Sequence, residues 1–328
     1  MKMPLPIRVI AVALLVGALA GCSINQLAVR VLADTLAGGD EGSASVFTTD
    51  NDPELVGDAL PFALKLYETI LQQAPDHQNL LFATGSGFIS YANAFVATPA
   101  SMLPFSEWEQ QVSEQARAKN LYLRGRDYLI HGLDVRYPGF KDALFAVDGT
   151  AIDPFIPEFD ENDVGFLYWI AAGWVAAFSL DTFDLDLAFL VPRAQRLVLR
   201  ALELNDGYND GAIHDFLVQY YASMPATMGG DKDLAEFHHE RALFYADGRL
   251  AGPYVSYAET MLIPQQDRDR FVDYMHQALA IDPDAYPPAR MINVLSQRKA
   301  QWYLDNIDDY FLPDIADDDW TPEEGEEF

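Results

Sequence analysis

Hydrophobic spacing is the feature that most restricts the fold of this 328-residue chain. Apolar residues recur at i, i+3 and i+4 in nearly every segment that shows a period, which is the pattern of one buried helix face. No segment shows the sustained alternation of a half-buried strand. Prolines fall between the helical runs, at Pro75, Pro99, Pro138, Pro154, Pro192, Pro225, Pro253 and Pro283. The pattern predicts an all-α fold of helices joined by short loops.

One long apolar segment could be read either as a core helix or as a membrane span. The segment from Val164 to Leu180 is free of charged residues and contains Trp169 and Trp174. A spanning helix usually needs about twenty apolar residues and a basic flank. Here the flanking residues are Asp163 and Asp181. We therefore expect a buried central helix.

A helical-hairpin repeat of about 34 residues, called TPR, accounts for part of the spacing. Its second helix carries small or apolar residues before a proline, and Phe271, Met275, Ala278 and Pro283 fit that pattern. Counting back from Phe271 places the start of the first helix at Val255. Weaker copies are Ala63, Tyr67, Ile70 and Pro75; Ala194, Val198 and Ala201; and Ala235, His239 and Ala242. Their uneven steps predict degenerate repeats, and an ordinary amphipathic helix remains the alternative for each copy.

The first residues of the chain form an export signal. Lys2 and Arg8 precede an uncharged apolar run, which ends in Leu-Ala-Gly before Cys22. So short a run with one basic flank is typical of a secretory signal peptide. The last residues resemble the lipobox of bacterial lipoproteins, which implies cleavage before Cys22 and a lipid on its sulfur. Ser23 then favours the outer membrane, and an ordinary signal with a stray cysteine is the alternative.

Charge and cysteine content exclude several classes of function. The formal charge is −29, and removal of residues 1–21, with two basic residues and no acids, makes it −31. Such a body repels nucleic acid and anionic lipid headgroups. Because the single cysteine would carry the anchor, no disulfide, thiolate zinc site or cysteine nucleophile is expected.

The chain divides into four predicted parts. Residues 1–21 form the signal peptide, and residues 22–52 form the lipidated anchor and linker. Residues 53–312 form the helical domain. Residues 313–328 form an acidic tail that we expect to be disordered, because Lys and Arg are absent from it.

A search for catalytic or metal-binding constellations finds no candidate. The six histidines lack zinc-site spacing, and the adjacent His238 and His239 are expected at the surface and in a groove. A calcium loop at 206–217 fails because Leu217 replaces the bidentate acid. Gly85 and Gly87 indicate close helix packing rather than a nucleophile elbow. We expect no enzyme activity, no cofactor and no metal.

Arginines stand out in so acidic a chain. Arg193, Arg196 and Arg200 share one predicted helix face, and Arg117 and Arg124 lie seven residues apart on another, as do Lys119 and Arg126. Guanidinium groups suit carboxylate ligands. A solvated face that balances nearby acids is the alternative.

Several long segments resemble one known family. They are residues 83–95 (ATGSGFISYANAF), 117–128 (RAKNLYLRGRDY), 167–174 (LYWIAAGW), and 211–222, which begins GAIHDFL. Together they resemble the TAtT family of periplasmic lipoproteins associated with TRAP transporters, over about residues 52–311. The resemblance implies TPR-like hairpins in an α-solenoid around a central cleft or pore. It also implies trimers and association with a periplasmic solute-binding protein.

The resemblance and the residue types together give two hypotheses. In the first, the chain is a membrane-anchored scaffold that binds the solute-binding protein and offers a cleft to a small carboxylate or hydrophobic ligand. In the second, it is a purely structural periplasmic adaptor without a ligand. The first hypothesis predicts ligand contacts from residues with aromatic or polar tips in the matched segments, which are Asn93, Tyr122, Arg124, Arg126, Tyr168, Trp169, Trp174 and His214.

Overall fold

The computed structural model describes residues 46–313, and every regular element in that range is helical. This confirms the all-α prediction. The signal peptide, Cys22, most of the predicted linker and almost all of the acidic tail lie outside the described residues. The main helices are α1 (Pro53–Leu71), α2 (Gln78–Ala92), α3 (Trp108–Arg136), α4 (Phe140–Phe145), α5 (Val164–Leu180), α6 (Leu185–Leu204), α7 (Tyr208–Ser223), α8 (Lys232–Ala246), α9 (Gly252–Tyr257), α10 (Arg268–Ala280) and α11 (Arg290–Asp305).

Shorter pieces join these helices. Two π-helical turns, Asn93–Ala97 and Ala258–Leu262, follow α2 and α9 directly. Short α-helical pieces, Thr98–Ser101 and Ile263–Gln265, come after them. Single 3₁₀ turns lie at Phe105–Glu107, Ile156–Glu158, Glu161–Asp163, Ala226–Met228, Pro287–Ala289 and Ile307–Asp309.

Several aspartates cap the N-termini of helices. The Asp52 carboxylate accepts a hydrogen bond from the Leu55 amide (3.0 Å) at the start of α1. Asp184 and Asp231 do the same at the starts of α6 and α8. A carboxylate at this position satisfies an otherwise unpaired amide and interacts favourably with the helix dipole. Acidic residues therefore fix helix boundaries as well as charge the surface.

Helices that follow one another along the chain pack together. The closest pairs are α2 with α3, α3 with α5, α5 with α6, and α7 with α8. The predicted repeat positions Phe271, Met275 and Ala278 are all buried on α10, which packs against α9 and α11. The described part of the chain is thus built largely from contacts between helices that lie close together along the chain.

Glycines allow three central helices to approach closely. A Cβ atom on Gly125 of α3 would lie 2.5 Å from the Gly85 carbonyl oxygen of α2, and one on Gly85 would lie 2.7 Å from the Gly125 oxygen. On α5, a Cβ on Gly173 would lie 2.7 Å from Ile89 Cδ1. The prediction that Gly85 marks a helix contact agrees with this geometry. At these glycines the three helices leave no room for a larger side chain.

Two apolar segments are long enough to cross a membrane, Gln78–Ser101 and Glu161–Leu180, and about half of each apolar window is buried inside the molecule. The second contains α5, which begins and ends where the sequence predicts. It packs against α3 and α6. These contacts agree with the expected role of α5 as a core helix.

The first described residues contact the last main helix, α11. The Met291 amide donates to the Thr48 carbonyl (3.0 Å), and Arg290 donates to the Thr49 carbonyl (2.8 Å). Further along α11, Arg298 forms an ion pair with Glu54 at the start of α1. The segment that enters α1 is therefore held against α11.

Candidate functional site

Arg126 and Trp174, two of the predicted ligand residues, lie in contact between α3 and α5. The guanidinium carbon of Arg126 is 4.4 Å from the Trp174 ring centre, and the Phe145 ring stacks on Trp174 with ring centres 5.6 Å apart. Arg126 is only 8% exposed and Trp174 is fully buried. Together they form a cationic group in an aromatic wall, with Phe145 as its half-exposed outer edge.

The Arg126 guanidinium is paired with a surface carboxylate, whereas the Trp174 indole N–H is buried. Nε and Nη2 of Arg126 donate to one carboxylate oxygen of Asp127, at 2.9 and 2.7 Å, and that side chain is 62% exposed. Within residues 46–313 the buried Nε1 of Trp174 has no hydrogen-bond partner. A buried donor without a partner costs on the order of 1–3 kcal/mol. We call Arg126, Trp174 and Phe145 the arginine wall.

A row of arginines on α6 positions the outer edge of the wall. Arg193 is buried and donates to the Leu144 carbonyl (2.5 Å), and also to the Val147 carbonyl. Arg196 binds Asp153, and Arg200 donates to the Phe159 carbonyl (2.9 Å). The shared face predicted for these three arginines therefore binds the segment 144–159 of this chain. In doing so, Arg193 holds the carbonyl just before Phe145 and a second carbonyl two residues after it.

Asn93 and Tyr122 form a second predicted pair close to the wall. The Tyr122 hydroxyl donates to Oδ1 of Asn93 (3.2 Å), which is the first residue of a π-helical turn. Tyr122 lies one helical turn before Arg126 on α3, and burial raises its pKa. The neutral hydroxyl therefore persists at all physiological pH values. π-helical turns often occur at functional sites.

Arg124 lies elsewhere, because it points to the other side of α3. Its Nε donates to Glu68 of α1 (2.6 Å), and its guanidinium covers the Phe88 ring. Burial opposes ionisation of Glu68, but hydrogen bonds from Lys65, Tyr128 and Arg124 outweigh it and lower its pKa. Arg124 thus has an ionised partner already, in an open groove between α1 and α3.

Tyr168 and Trp169 belong to an aromatic group at the start of α5. Their rings meet at 5.2 Å, and the Tyr168 ring also meets Tyr208 (5.6 Å) and Phe216 (6.3 Å) of α7. Burial raises the pKa of Tyr168, with the Asp215 carboxylate adding to the effect. These two predicted residues are therefore grouped with α7 rather than with the arginine wall.

His214 lies in a third place, beside His238 and His239, which the sequence pattern predicts at the surface and in a groove. That expectation is wrong, because His238 and His239 are both buried. The Nδ1 atoms of His214 and His238 are 2.8 Å apart, and His239 stacks on Tyr257 at 4.0 Å. Burial lowers the pKa of all three rings to about 4. Stacking on tyrosines makes neutral imidazole compatible with the core.

A polar group near Tyr168 was missed from the sequence. Ser256 of α9 donates to the Asp215 carboxylate, and Lys299 of α11 pairs with Glu259 (2.5 Å) in the second π-helical turn. Burial raises the pKa of Asp215 to about 6. The sequence signal for this group was Asp215 itself, an acidic residue within the same apolar segment as His214. Its partner Ser256 could not be found because it lies 41 residues further along the chain.

Two aspartates of the segment 206–217, which resembles a calcium loop only in part, form ion pairs with arginines. Asp206 pairs with Arg241 (3.1 Å) and Asp210 with Arg249 (2.9 Å). Asp210 also has a positive φ, and regular helix in α7 begins only after Gly211. Over residues 46–313 there is no group of three or more His, Cys, Asp or Glu side chains that could hold a metal ion. These carboxylates stabilise a turn.

Comparison with known proteins agrees with the resemblance seen in the sequence. The profile of the TAtT family, described as the TRAP transporter T-component, matches residues 49–311. An uncharacterized protein of Treponema pallidum (strain Nichols) is 37% identical over 303 residues, which cover 89% of this chain and 94% of the relative. The matched range includes every helix of the described chain. The chain therefore belongs to the TAtT family of TRAP transporter T-components.

Proposed function

We propose that this chain is a lipid-anchored periplasmic T-component that binds the solute-binding protein of its TRAP transporter and assists uptake of a small organic ligand. Family membership supports the association with a TRAP transporter, since the match spans nearly all of the described residues. In this proposal Cys22 bears the anchor, and Ser23 directly after it favours the outer membrane. The helices form a TPR-like solenoid with a central cleft, and three copies assemble.

The arginine wall is the site where we propose that the ligand binds. Arg126 is a buried cation that pairs with Asp127, and the Asp127 side chain faces solvent. Trp174 adds an N–H donor without a partner among the described residues. An anionic group would gain a charge-assisted bond from Arg126, and Phe145 offers apolar contact to the rest of the molecule. Arg124 is the weaker candidate because Glu68 already neutralises it.

Partner binding is tested with purified components. The full-length chain in detergent is mixed with the solute-binding protein of the same transporter and examined by sedimentation velocity. We expect a complex that sediments faster than either protein. Two independent boundaries over the whole concentration range would contradict the proposal.

Ligand binding is tested with radiolabelled octanoate, a carboxylate with an apolar tail, by equilibrium dialysis. We expect Arg126→Gln to weaken binding at least about tenfold, since a hydrogen bond to a charged group contributes about 1.5–3 kcal/mol. Arg124→Gln, a change of the same type two residues away, is the matched control and retains affinity. Equal loss in both variants, or unchanged binding in Arg126→Gln, would remove the wall from the site.

A group of exposed apolar side chains favours protein binding and keeps the adaptor hypothesis as the second candidate. Val147, Phe183, Leu185 and Phe189 are largely exposed. Arg193 contacts two of them, since it donates to the Val147 carbonyl and its guanidinium covers the Phe189 ring at 5.6 Å. Exposed apolar groups of this kind often mark protein-binding surfaces. A chain that binds the solute-binding protein but no octanoate would favour the pure adaptor.

A further inference from the structure

A cavity of about 420 Å³ lies between α1 and α3, which both pack against α2. Leu81 of α2 lines it, and polar side chains line it on the two other helices. Lys65 and Gln72 lie seven residues apart on α1, and Arg124 and His131 lie seven apart on α3, so each pair spans two helical turns, or about 10 Å. A space of this size accommodates a small organic molecule. We call it the α1–α3 groove.

The charges at one end of the groove do not cancel among the described residues. Nζ of Lys65 is 2.6 Å from one carboxylate oxygen of Glu68, and Arg124 binds the other oxygen. Glu68 is 8% exposed, whereas Lys65 and Arg124 are 65% and 45% exposed. Among the described side chains that line the groove, Glu68 supplies the one carboxylate. Because it can neutralise only one of the two cations, one positive charge is in excess beside the cavity.

Both cations retain N–H donors that Glu68 does not use. Arg124 donates to Glu68 from Nε and Nη2, and its Nη1 makes no hydrogen bond within residues 46–313. Lys65 has three N–H groups and donates one of them to Glu68. The Phe88 ring, whose centre is 4.8 Å from the guanidinium carbon, helps to fix Arg124 in this position. The groove therefore offers an anion both excess positive charge and donors that are already in place.

The arrangement of these donors favours a phosphate group over a carboxylate. A planar carboxylate binds best to a guanidinium fork, but the Nε–Nη2 fork of Arg124 already binds Glu68. One guanidinium nitrogen on α3 and the ammonium of Lys65 on α1 remain, so the donors come from two walls. The three oxygens of a phosphate point in different directions and can accept from both walls, and lysine binds phosphate as a point charge.

We propose that the α1–α3 groove is a second binding site, separate from the arginine wall, and that it takes a small phosphate monoester. The phosphate lies between Lys65 and Arg124, and the polar body of the ligand extends towards Gln72 and His131. Glu68 positions the two cations. A phosphate group with a polar body occurs in soluble esters and in lipid headgroups, and the competition experiment below separates these sources. The site does not depend on the proposed function.

Equilibrium dialysis of the full-length chain in detergent with radiolabelled glycerol 3-phosphate tests the site. We expect the native chain to bind, and Lys65→Gln and Arg124→Gln each to weaken binding at least about tenfold, since each removes a charged donor. One control is Arg268→Gln, because that side chain is also 45% exposed and also pairs with an acid. The other is Lys232→Gln, at an exposed lysine of α8. No binding by the native chain, unchanged affinity in either groove variant, or equal loss in the controls would overturn the proposal.

Lysine acetylation of the native chain locates the ligand without any substitution. The chain is treated with sulfo-N-hydroxysuccinimide acetate in the presence and absence of glycerol 3-phosphate, and each lysine is quantified by peptide mass spectrometry. We expect the ligand to slow acetylation of Lys65 and to leave the rate at Lys232 unchanged. An unchanged rate at Lys65 under conditions where the ligand is bound would contradict the proposed site.

Competition for the labelled ester identifies the chemistry and the source of the ligand. Inorganic phosphate should displace it, whereas acetate at the same concentration should not; equal displacement would reduce the groove to a non-specific anion site. Glycerophosphoglycerol, the diester headgroup of phosphatidylglycerol, should compete more weakly than unlabelled glycerol 3-phosphate, and stronger competition would assign the groove to lipid headgroups. Octanoate should not compete, so a failure of this proposal is distinguishable from a failure of the arginine wall.

Discussion

The helices around Gly125 and the helices around His239 achieve burial by different means. In the first region, α2, α3 and α5 approach until backbone atoms meet at Gly85, Gly125 and Gly173. In the second, α7 to α10 are spaced by polar rings, such as His239 stacked on Tyr257 at 4.0 Å. The first region depends on close packing of the backbone, and the second depends on keeping the imidazole rings uncharged. Added side-chain volume should therefore destabilise the first region, and low pH should destabilise the second.

Acid should produce the largest effect, through the second region. Burial lowers the pKa of His214, His238 and His239 to about 4, below the value of about 6.5 in an unfolded chain. As pH falls from about 6.5 to 4, the unfolded chain binds protons that the folded chain does not. The free energy of unfolding therefore falls.

One buried acid works in the opposite direction. Burial raises the pKa of Asp215 to about 6, so its contribution to stability is present at low pH and is lost as pH rises through 6. It offsets only part of the loss from three rings. We expect a net fall on the order of 4 kcal/mol between pH 7 and pH 4.5, measured by urea unfolding. His239→Phe should reduce that fall, and a flat profile between pH 7 and 5 would contradict the account.

Added volume should disturb the first region. In an exposed helix, Gly→Ala usually stabilises by up to about 1 kcal/mol. Gly125→Ala should instead destabilise by about 3 kcal/mol, because its Cβ would lie 2.5 Å from the Gly85 oxygen. The control is Gly149→Ala, where the nearest atom is Arg193 Nη2 at 3.8 Å. A stabilising Gly125→Ala would show that the helices can separate at no cost.

A smaller effect is expected where the first region borders the arginine wall. Arg193→Lys removes the fork that donates to the Leu144 and Val147 carbonyls. The loss should be about 1 kcal/mol in the free energy of unfolding. Limited proteolysis should cut the segment 144–159 faster, and octanoate affinity should fall. Unchanged cleavage would mean that Arg193 does not hold this segment.

The smallest effect is expected at the contact between the two chain ends. Glu54 and Arg298 form an exposed pair, and exposed pairs contribute little to stability. Glu54→Gln should leave the thermal midpoint unchanged within error and keep a single transition in calorimetry. A split into two transitions would show instead that this pair couples the first and last helices.

The sequence was sufficient for the fold class and for both ends of the central apolar helix. Val164–Leu180 was predicted as one helix and is α5, because its charged flanks mark both ends. The sequence also named both Arg126 and Trp174. It could not show that they meet, because that contact depends on the crossing of α3 and α5 at glycines.

Other side chains could not be placed from local pattern. His238 and His239 were expected at the surface and in a groove, because adjacent residues of one helix usually point different ways. Helix α8 instead buries both rings, since tyrosines of α7 and α9 stack on them. Asp215 was passed over beside His214 for a similar reason. Its partner Ser256 is brought near only by the packing of α9 on α7.

Affinity purification of the full-length chain from its own envelope, followed by mass spectrometry, tests the central claim most directly. The account predicts that the solute-binding protein of a TRAP transporter co-purifies in a constant ratio with the lipid-bearing chain. A chain that retains residues 1–21 and is isolated repeatedly without any TRAP transporter protein would contradict it.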